Sequence, residues 1–271
     1  MRNRDNAERK PTILKLGGSA ITEKGTPLTP SMSVIRRLAR EVSEAEVSPL
    51  ILIHGGGSFG HPLAEKYRLK EGFRDPSQLV GFSKTHEAMV SLNKLVVEAL
   101  IEEGIPAFGM PPSSFTVTRM GRVYGLEDKP IRMAIDLGLV PILYGDVTLD
   151  LEKGFAILSG DQIAALLAVR LGAERIIMGV DVDGLYTEDP KLNPSARLIQ
   201  HLTIKDLEEI WRGIRGSSSP DVTGGMMGKI LELIPPIKRG AKALIVNALK
   251  PRNVYKALKG EPGIGTEITK E

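Results

Sequence analysis

Five residues at the end of one apolar run, Lys15, Leu16, Gly17, Gly18 and Ser19, set a cation beside two positions with no side chain. Backbone amides can approach an anion closely there, and the lysine adds a full charge, so the chemistry on offer is phosphate binding. Strand-end glycines also serve tight turns, and this string alone leaves both readings open. A second string is more demanding: residues 54–61 read HGGGSFGH directly after the apolar run 50–53. A glycine costs up to about 1 kcal/mol in a helix or strand relative to alanine, so three in succession point to something that must come close. Neither string is a Walker A sequence, and neither has the GxGxxG spacing of a dinucleotide site.

Further strings put charge beside glycine: Ser159, Gly160, Asp161; then Asp181, Val182, Asp183, Gly184; then residues 221–229, DVTGGMMGK. Asp146, Asp181 and Asp183 also suit turns or helix caps, and Asp183 before Gly184 is a tight-turn pair. Lys24 taken alone reads as solvated surface charge. His54, at a strand end, is read as orienting the glycine loop. No cage of carboxylates is visible, so no residue is assigned to a metal.

The elements that hold these strings alternate. Short β-branched or leucine-rich runs (13–16, 50–53, 140–143, 175–180, 243–246) read as strands. Segments of helical period lie between them: one through Val34, Ile35, Leu38, Ala39 and Val42, then 83–103, 162–171 with Gly172 as its stop, 204–214, 225–234 and 254–259. Residues 114–118, 123–124, 147–151 and 155–158 read as short antiparallel strands, with a turn at 152–154. Pro235 and Pro236 should end or kink the helix before them. Residues 1–10 read as a flexible tail, and a lobe boundary is placed near Asp161. The pattern predicts an α/β fold with a mainly parallel sheet covered on both faces. Ligands of such sheets collect at the carboxyl ends of strands, so two glycine turns there can face one pocket and bring two phosphate-bearing ligands together.

Composition removes other classes. The 271 residues are 42% hydrophobic, enough for a large core. A formal charge of +3 from 36 basic and 33 acidic side chains, with 4% aromatics, does not suit nucleic-acid binding. Zero cysteines excludes disulfides, thiolate metal sites and cysteine nucleophiles. No apolar run approaches bilayer length, and the expectation is a cytoplasmic protein without a membrane partner.

In this order, KLGGS, HGGG, SGDQ, DVDGLY and TGGMMGK resemble the amino-acid-kinase superfamily over residues 13–268. Within it, GSFGHPLAEKY at 57–67, Lys24, PSSF at 112–115, YGD at 144–146 and GTEI at 265–268 are similar to the isopentenyl phosphate kinases. The resemblance implies a three-layer αβα sandwich with a mainly parallel central sheet, a single domain over 11–271. Its acceptor-binding lobe would span about 11–160 and its ATP-binding lobe about 161–271. It implies ATP-dependent conversion of isopentenyl phosphate to isopentenyl diphosphate, a late step of an alternative mevalonate route, by a homodimer. Mg2+ would ride mainly on the ATP phosphates.

By the same resemblance, Lys15 and Lys229 bind the transferring and leaving phosphates, Lys24 stabilises the transition state and Asp161 orients the lysines. Gly55, Gly56, His61 and Gly160 are expected on the acceptor. Gly17, Gly18, Ser19, Gly57, Asp181 and Gly225 are expected, with Lys15 and Lys229, on ATP. His61 could donate a hydrogen bond to the acceptor phosphate, whose charge should favour a protonated ring; a helix-end histidine satisfied by backbone is the plainer alternative. Phe82, Met89 and Val90 are candidates for an apolar wall, and core packing explains them nearly as well. Rivals are a kinase of the same fold acting on a fosfomycin-like phosphonate, a nucleoside monophosphate or an amino-acid carboxylate, and a non-catalytic ATP-binding regulator.

Overall fold

The computed structural model describes residues 9–188, 193, 195–209 and 226–271. Residues 1–8 of the expected tail 1–10, the second half of the expected helix 204–214, and Gly225 lie outside these residues; 204–209 are helical. The chain opens with β1 (Thr12–Leu16), α1 (Gly18–Ile21), α2 (Met32–Ala45), β2 (Leu50–His54), α3 (Gly57–Lys66) and α4 (Ser77–Glu102). It continues through β3 (Ala107–Gly109), β4 (Thr116–Arg119), β5 (Arg122–Leu126), α5 (Lys129–Leu137), β6 (Val140–Tyr144), β7 (Asp146–Asp150), β8 (Gly154–Leu158) and α6 (Gly160–Leu171). The rest comprises β9 (Arg175–Val180), β10 (Leu185–Tyr186), β11 (Leu198–Ile199), β12 (His201–Thr203), α7 (Met226–Lys238), β13 (Lys242–Asn247), α8 (Asn253–Lys259) and β14 (Thr266–Thr269).

Eight strands form the central sheet in the order β12-β14-β13-β9-β1-β2-β6-β3. All neighbours are parallel except β13 and β14. Successive residues of β1 face opposite sides, as strand geometry requires. Ile13 joins one core with Ile163 and Leu167 of α6 and Leu233 and Ile237 of α7. Leu14 joins the other with Leu38 of α2, Leu92 and Val96 of α4, and Val254 of α8. Both faces are therefore covered, giving three layers, and each fully buried aliphatic side chain contributes about 1.5–3 kcal/mol. The strands before Asp161 (β1, β2, β3, β6) form one half of the sheet and those after it the other, joined where β1 pairs with β9.

The register aligns the carboxyl ends. Leu16 is level with His54 and with Gly179, and His54 with Tyr144, so Gly17, Gly55, Gly145 and Asp181 leave the sheet along one edge. Gly17 N–H donates to Gly179 O at 2.7 Å, Gly55 N–H to Leu16 O at 2.9 Å and Gly145 N–H to His54 O at 3.0 Å, extending the ladder into the turns.

The fold departs from the sequence reading in several places, and α1, α3, α5, β3, β12 and β14 were not read from the sequence. Helix α4 starts at Ser77 rather than 83; just before it Asp75 Oδ1 accepts from Ser77 N–H at 2.9 Å and Gln78 Oε1 accepts from Arg74 N–H at 2.6 Å, fixing the entering turn. The prolines Pro235 and Pro236 sit inside α7, which continues to Lys238. Proline φ suits a helix, while its missing donor and the clash of its ring with the preceding turn oppose one; Leu233 and Ile237, buried on either side of the pair, hold the helical path. The short central strands form a second sheet, β5-β4-β7-β8, in which β4 and β7 meet in parallel at Thr118 and Asp150 rather than antiparallel. The small β10–β11 ladder had no counterpart in the sequence reading.

Candidate active site

Lys15 shares a face of β1 with Ile13, two residues earlier, and so points toward α6 instead of the opposite layer. It is 3% exposed. Helix α6 begins beneath it: Ser159 caps the first turn by accepting from Asp161 N–H at 3.2 Å, which fixes Asp161 there. Lys15 Nζ lies 2.6 Å from Asp161 Oδ1. Lys229, on α7, packs across α6 and donates to Asp161 Oδ2 at 2.7 Å. Burial would push the Asp161 carboxyl up, but Lys15 and Lys229 hold it below its usual range and keep it ionised. The Lys15 ammonium is lowered, chiefly by burial, with Lys229 acting in the same direction and Asp161 against it.

The two glycine turns interlock above this triad. A Cβ on Gly18 would lie 2.1 Å from Gly57 N, and Gly57 adopts φ +48°, with its own added Cβ 2.1 Å from Thr22 Oγ1. Backbone meets backbone, so neither position has room for a side chain. The middle glycine of the triple, Gly56, faces Met89 of α4, whose sulfur would stand 3.1 Å from an added Cβ. Thr22 locks the assembly: its hydroxyl donates to Gly18 O at 2.8 Å and accepts from Ser58 N–H at 3.0 Å.

These parts line one cavity of about 790 Å³. Lys15, Gly17, Gly18, Ser19, Lys229 and Asp181 share it with Gly55, Gly56, Gly57, Gly160, Asp161 and His61. At its mouth Lys24, 72% exposed, lies 2.5 Å from Asp181 Oδ2. Desolvation raises the Asp181 carboxyl, but Lys24 and Ser19 hold it below its usual range. His61 sits one turn into α3 with its ring open to the cleft. Its pKa is lowered by burial and by the cations Lys70, Lys229 and Lys15. Burial and these lysines both disfavour a charged ring, the opposite of what an acceptor phosphate beside it would do. Among the described residues no group of three His, Cys, Asp or Glu could hold a metal, and the Asp161 and Asp181 carboxylates are already paired with lysines.

The amino acid kinase family model matches residues 10–247. The chain belongs to the amino acid kinase family. Within that family it is 42% identical to isopentenyl phosphate kinase of Methanothermobacter thermautotrophicus over 95% of this chain and 98% of that protein. The enzyme of the same name from Methanocaldococcus jannaschii is 35% identical, covering 95% and 98%. A solved structure described as isopentenyl phosphate kinase superposes with a TM-score of 0.83 at 39% identity, covering 96% of this chain and all of the other. No described helix of this family member is long and apolar enough to cross a membrane.

The sequence reading misplaces most of the apolar wall. Of its three residues only Met89 lines the cavity. Phe82, two turns earlier on α4, packs 5.6 Å from Phe155 in a satellite core, and Val90, about 100° around the helix from Met89, joins the α2–α4 layer. Thr85, Ala64, Ile157 and Leu158 line the cavity with Met89; Thr85 and Met89 stand four residues apart on one helix. Asp146 is neither a turn former nor a cap: it is a buried strand residue whose Oδ2 bonds His86 Nδ1 at 2.8 Å. Asp183 precedes Gly184 as expected, but its carboxylate is taken by Lys250 at 2.7 Å and Asn247 at 3.0 Å.

Proposed function

We propose that the chain transfers the γ-phosphoryl group of ATP to isopentenyl phosphate, giving isopentenyl diphosphate and ADP. The observation that carries the reading is the shared Asp161: one carboxylate holds two lysines, Lys15 from strand β1 and Lys229 from helix α7, beneath two interlocked glycine turns, with His61 and apolar side chains lining the same cavity. Relatives at 42% and 35% identity bearing the name isopentenyl phosphate kinase support the choice of acceptor.

The chemistry follows from charge. The second pKa of a phosphate monoester is near 6, so the acceptor is largely a dianion at neutral pH and needs no general base. An acceptor oxygen forms a bond to the γ-phosphorus while the bond to the β,γ-bridging oxygen breaks, and that electron pair leaves on ADP. The barrier lies in holding two polyanions together and stabilising charge on the phosphoryl group in flight. Lys15 and Lys229 bind the transferring and leaving phosphates, Asp161 keeps both lysines charged and oriented, and Lys24 turns from Asp181 to the transition state. Gly17, Gly18, Ser19, Gly57 and Asp181 serve ATP, as does Gly225, which lies outside the described residues. Gly55, Gly56, Gly160 and His61 serve the acceptor phosphate, and Met89, Thr85 and Ile157 its hydrocarbon tail. No resident magnesium site is assigned among the described residues, and a magnesium ion would enter as part of the MgATP substrate.

On this reading residues 11–160 form the acceptor lobe and 161–271 the nucleotide lobe of one domain, working in the cytoplasm as a homodimer; sedimentation at assay concentration tests the dimer. The function is tested by ADP release with isopentenyl phosphate, fosfomycin, UMP and N-acetylglutamate offered separately. Turnover of isopentenyl phosphate is expected, and turnover of only the other three overturns the assignment.

A further inference from the structure

His54 is fully buried and lines no part of the cavity, yet it touches the glycine turn directly. Its Nδ1 lies 3.1 Å from Gly55 O and its Nε2 3.2 Å from Asn93 Oδ1, and its ring stacks on Tyr144 with centroids 5.4 Å apart. A neutral imidazole carries one proton, so one nitrogen donates and the other accepts. Burial lowers the His54 pKa to about 4, which keeps the ring neutral at neutral pH. The Gly55 carbonyl can only accept. The Asn93 amide can do either, because turning it by 180° exchanges its oxygen and nitrogen in place. Only one arrangement satisfies both contacts: Nδ1–H donates to Gly55 O, and Asn93 presents its NH2 group to Nε2.

The consequence lies on the other side of the peptide. In a trans peptide the C=O of one residue and the N–H of the next point in opposite directions. Gly56 N–H donates to no acceptor among the described residues, and Gly56 lines the cavity. We propose that His54 is a positioning residue: by holding the Gly55 carbonyl on the core side, it turns the Gly56 N–H into the cleft, toward the acceptor phosphate. A glycine pair has no side chains to fix its peptide plane, so without this bond the plane is free to rotate. The inference rests on the proposed phosphoryl transfer for its kinetic readout, but not for its structural one.

The structural readout is the tautomer. The chain has four histidines, and 15N-histidine NMR of the ligand-free protein, with the His54→Asn spectrum for assignment, locates the His54 proton. A proton on Nδ1 is expected; a proton on Nε2 overturns the proposal whether or not any substrate turns over. The kinetic readout uses two variants. His54→Asn sets an amide nitrogen near the Nδ1 position and should keep kcat within about threefold of wild type. His54→Gln reaches the Nε2 position, keeps the Asn93 contact and loses the Gly55 one; kcat should fall about 10- to 100-fold with the KM for ATP unchanged. Equal loss in both variants, or loss in neither, overturns the proposal. Failure of wild type to use isopentenyl phosphate would instead count against the proposed function.

Discussion

The Lys15 ammonium stands 2.6 Å from Asp161 Oδ1 in a place where only 3% of Lys15 is exposed. A buried cation of this kind depends on its partner. Replacing Asp161 by Asn keeps the shape and removes the charge, leaving Lys15 and Lys229 to repel each other. Breaking a buried pair costs about 3–5 kcal/mol, so the melting temperature should fall, and kcat should drop about 100- to 1,000-fold as the lysines lose their orientation. Thermal melts and ADP release measure both; an undiminished kcat would remove Asp161 from the mechanism.

Lys24 is the contrasting case. Its pair with Asp181 is largely exposed on the lysine side, and such pairs contribute less than about 1 kcal/mol. Lys24→Ala should therefore melt like the wild type while kcat falls at least about 100-fold. Equal turnover in the two proteins would return Lys24 to ordinary surface charge.

His61→Ala should lose most turnover while ATP binding, followed by calorimetry, persists. The ring itself gives a second check. In the free chain burial and Lys70, Lys229 and Lys15 lower its pKa; an acceptor dianion beside it favours the charged form. Its NMR titration midpoint should move upward when isopentenyl phosphate binds, and a static midpoint would separate His61 from the acceptor.

Acid stability should carry the mark of His54. Its folded pKa, about 4, lies below the unfolded value of 6.5, so the unfolded chain binds the proton first. Stability is then lost progressively as pH falls from about 6.5 to about 4 and levels off below, by an amount on the order of 3 kcal/mol from this group. Denaturant melts of wild type against His54→Asn test the sign: the variant should show a shallower acid limb, and parallel limbs would refute it.

Much of this protein was legible in one dimension. Strand β9 has the bounds its apolar run gave, and Gly172 stops α6 in the left-handed conformation that glycine favours. The glycine strings and the lysines beside them could be named from the chain because phosphate binding restricts residue type and local spacing, while the role of Asp161 came through the family resemblance. Alternation of strands and helices gave the layers, since a parallel sheet needs a crossover between neighbours.

Tertiary structure decided what meets what. Asp161 and Lys229 are 68 residues apart, and their contact depends on how α7 packs across α6, which no local pattern contains. The apolar wall went wrong for the same reason: Phe82, Met89 and Val90 are all apolar residues of α4, but the rotation and depth of the helix against its neighbours send only Met89 into the cavity. Local sequence set which groups were available, through backbone geometry and burial preference. Long-range packing chose their partners, because side-chain contacts across elements are fixed only when the layers close.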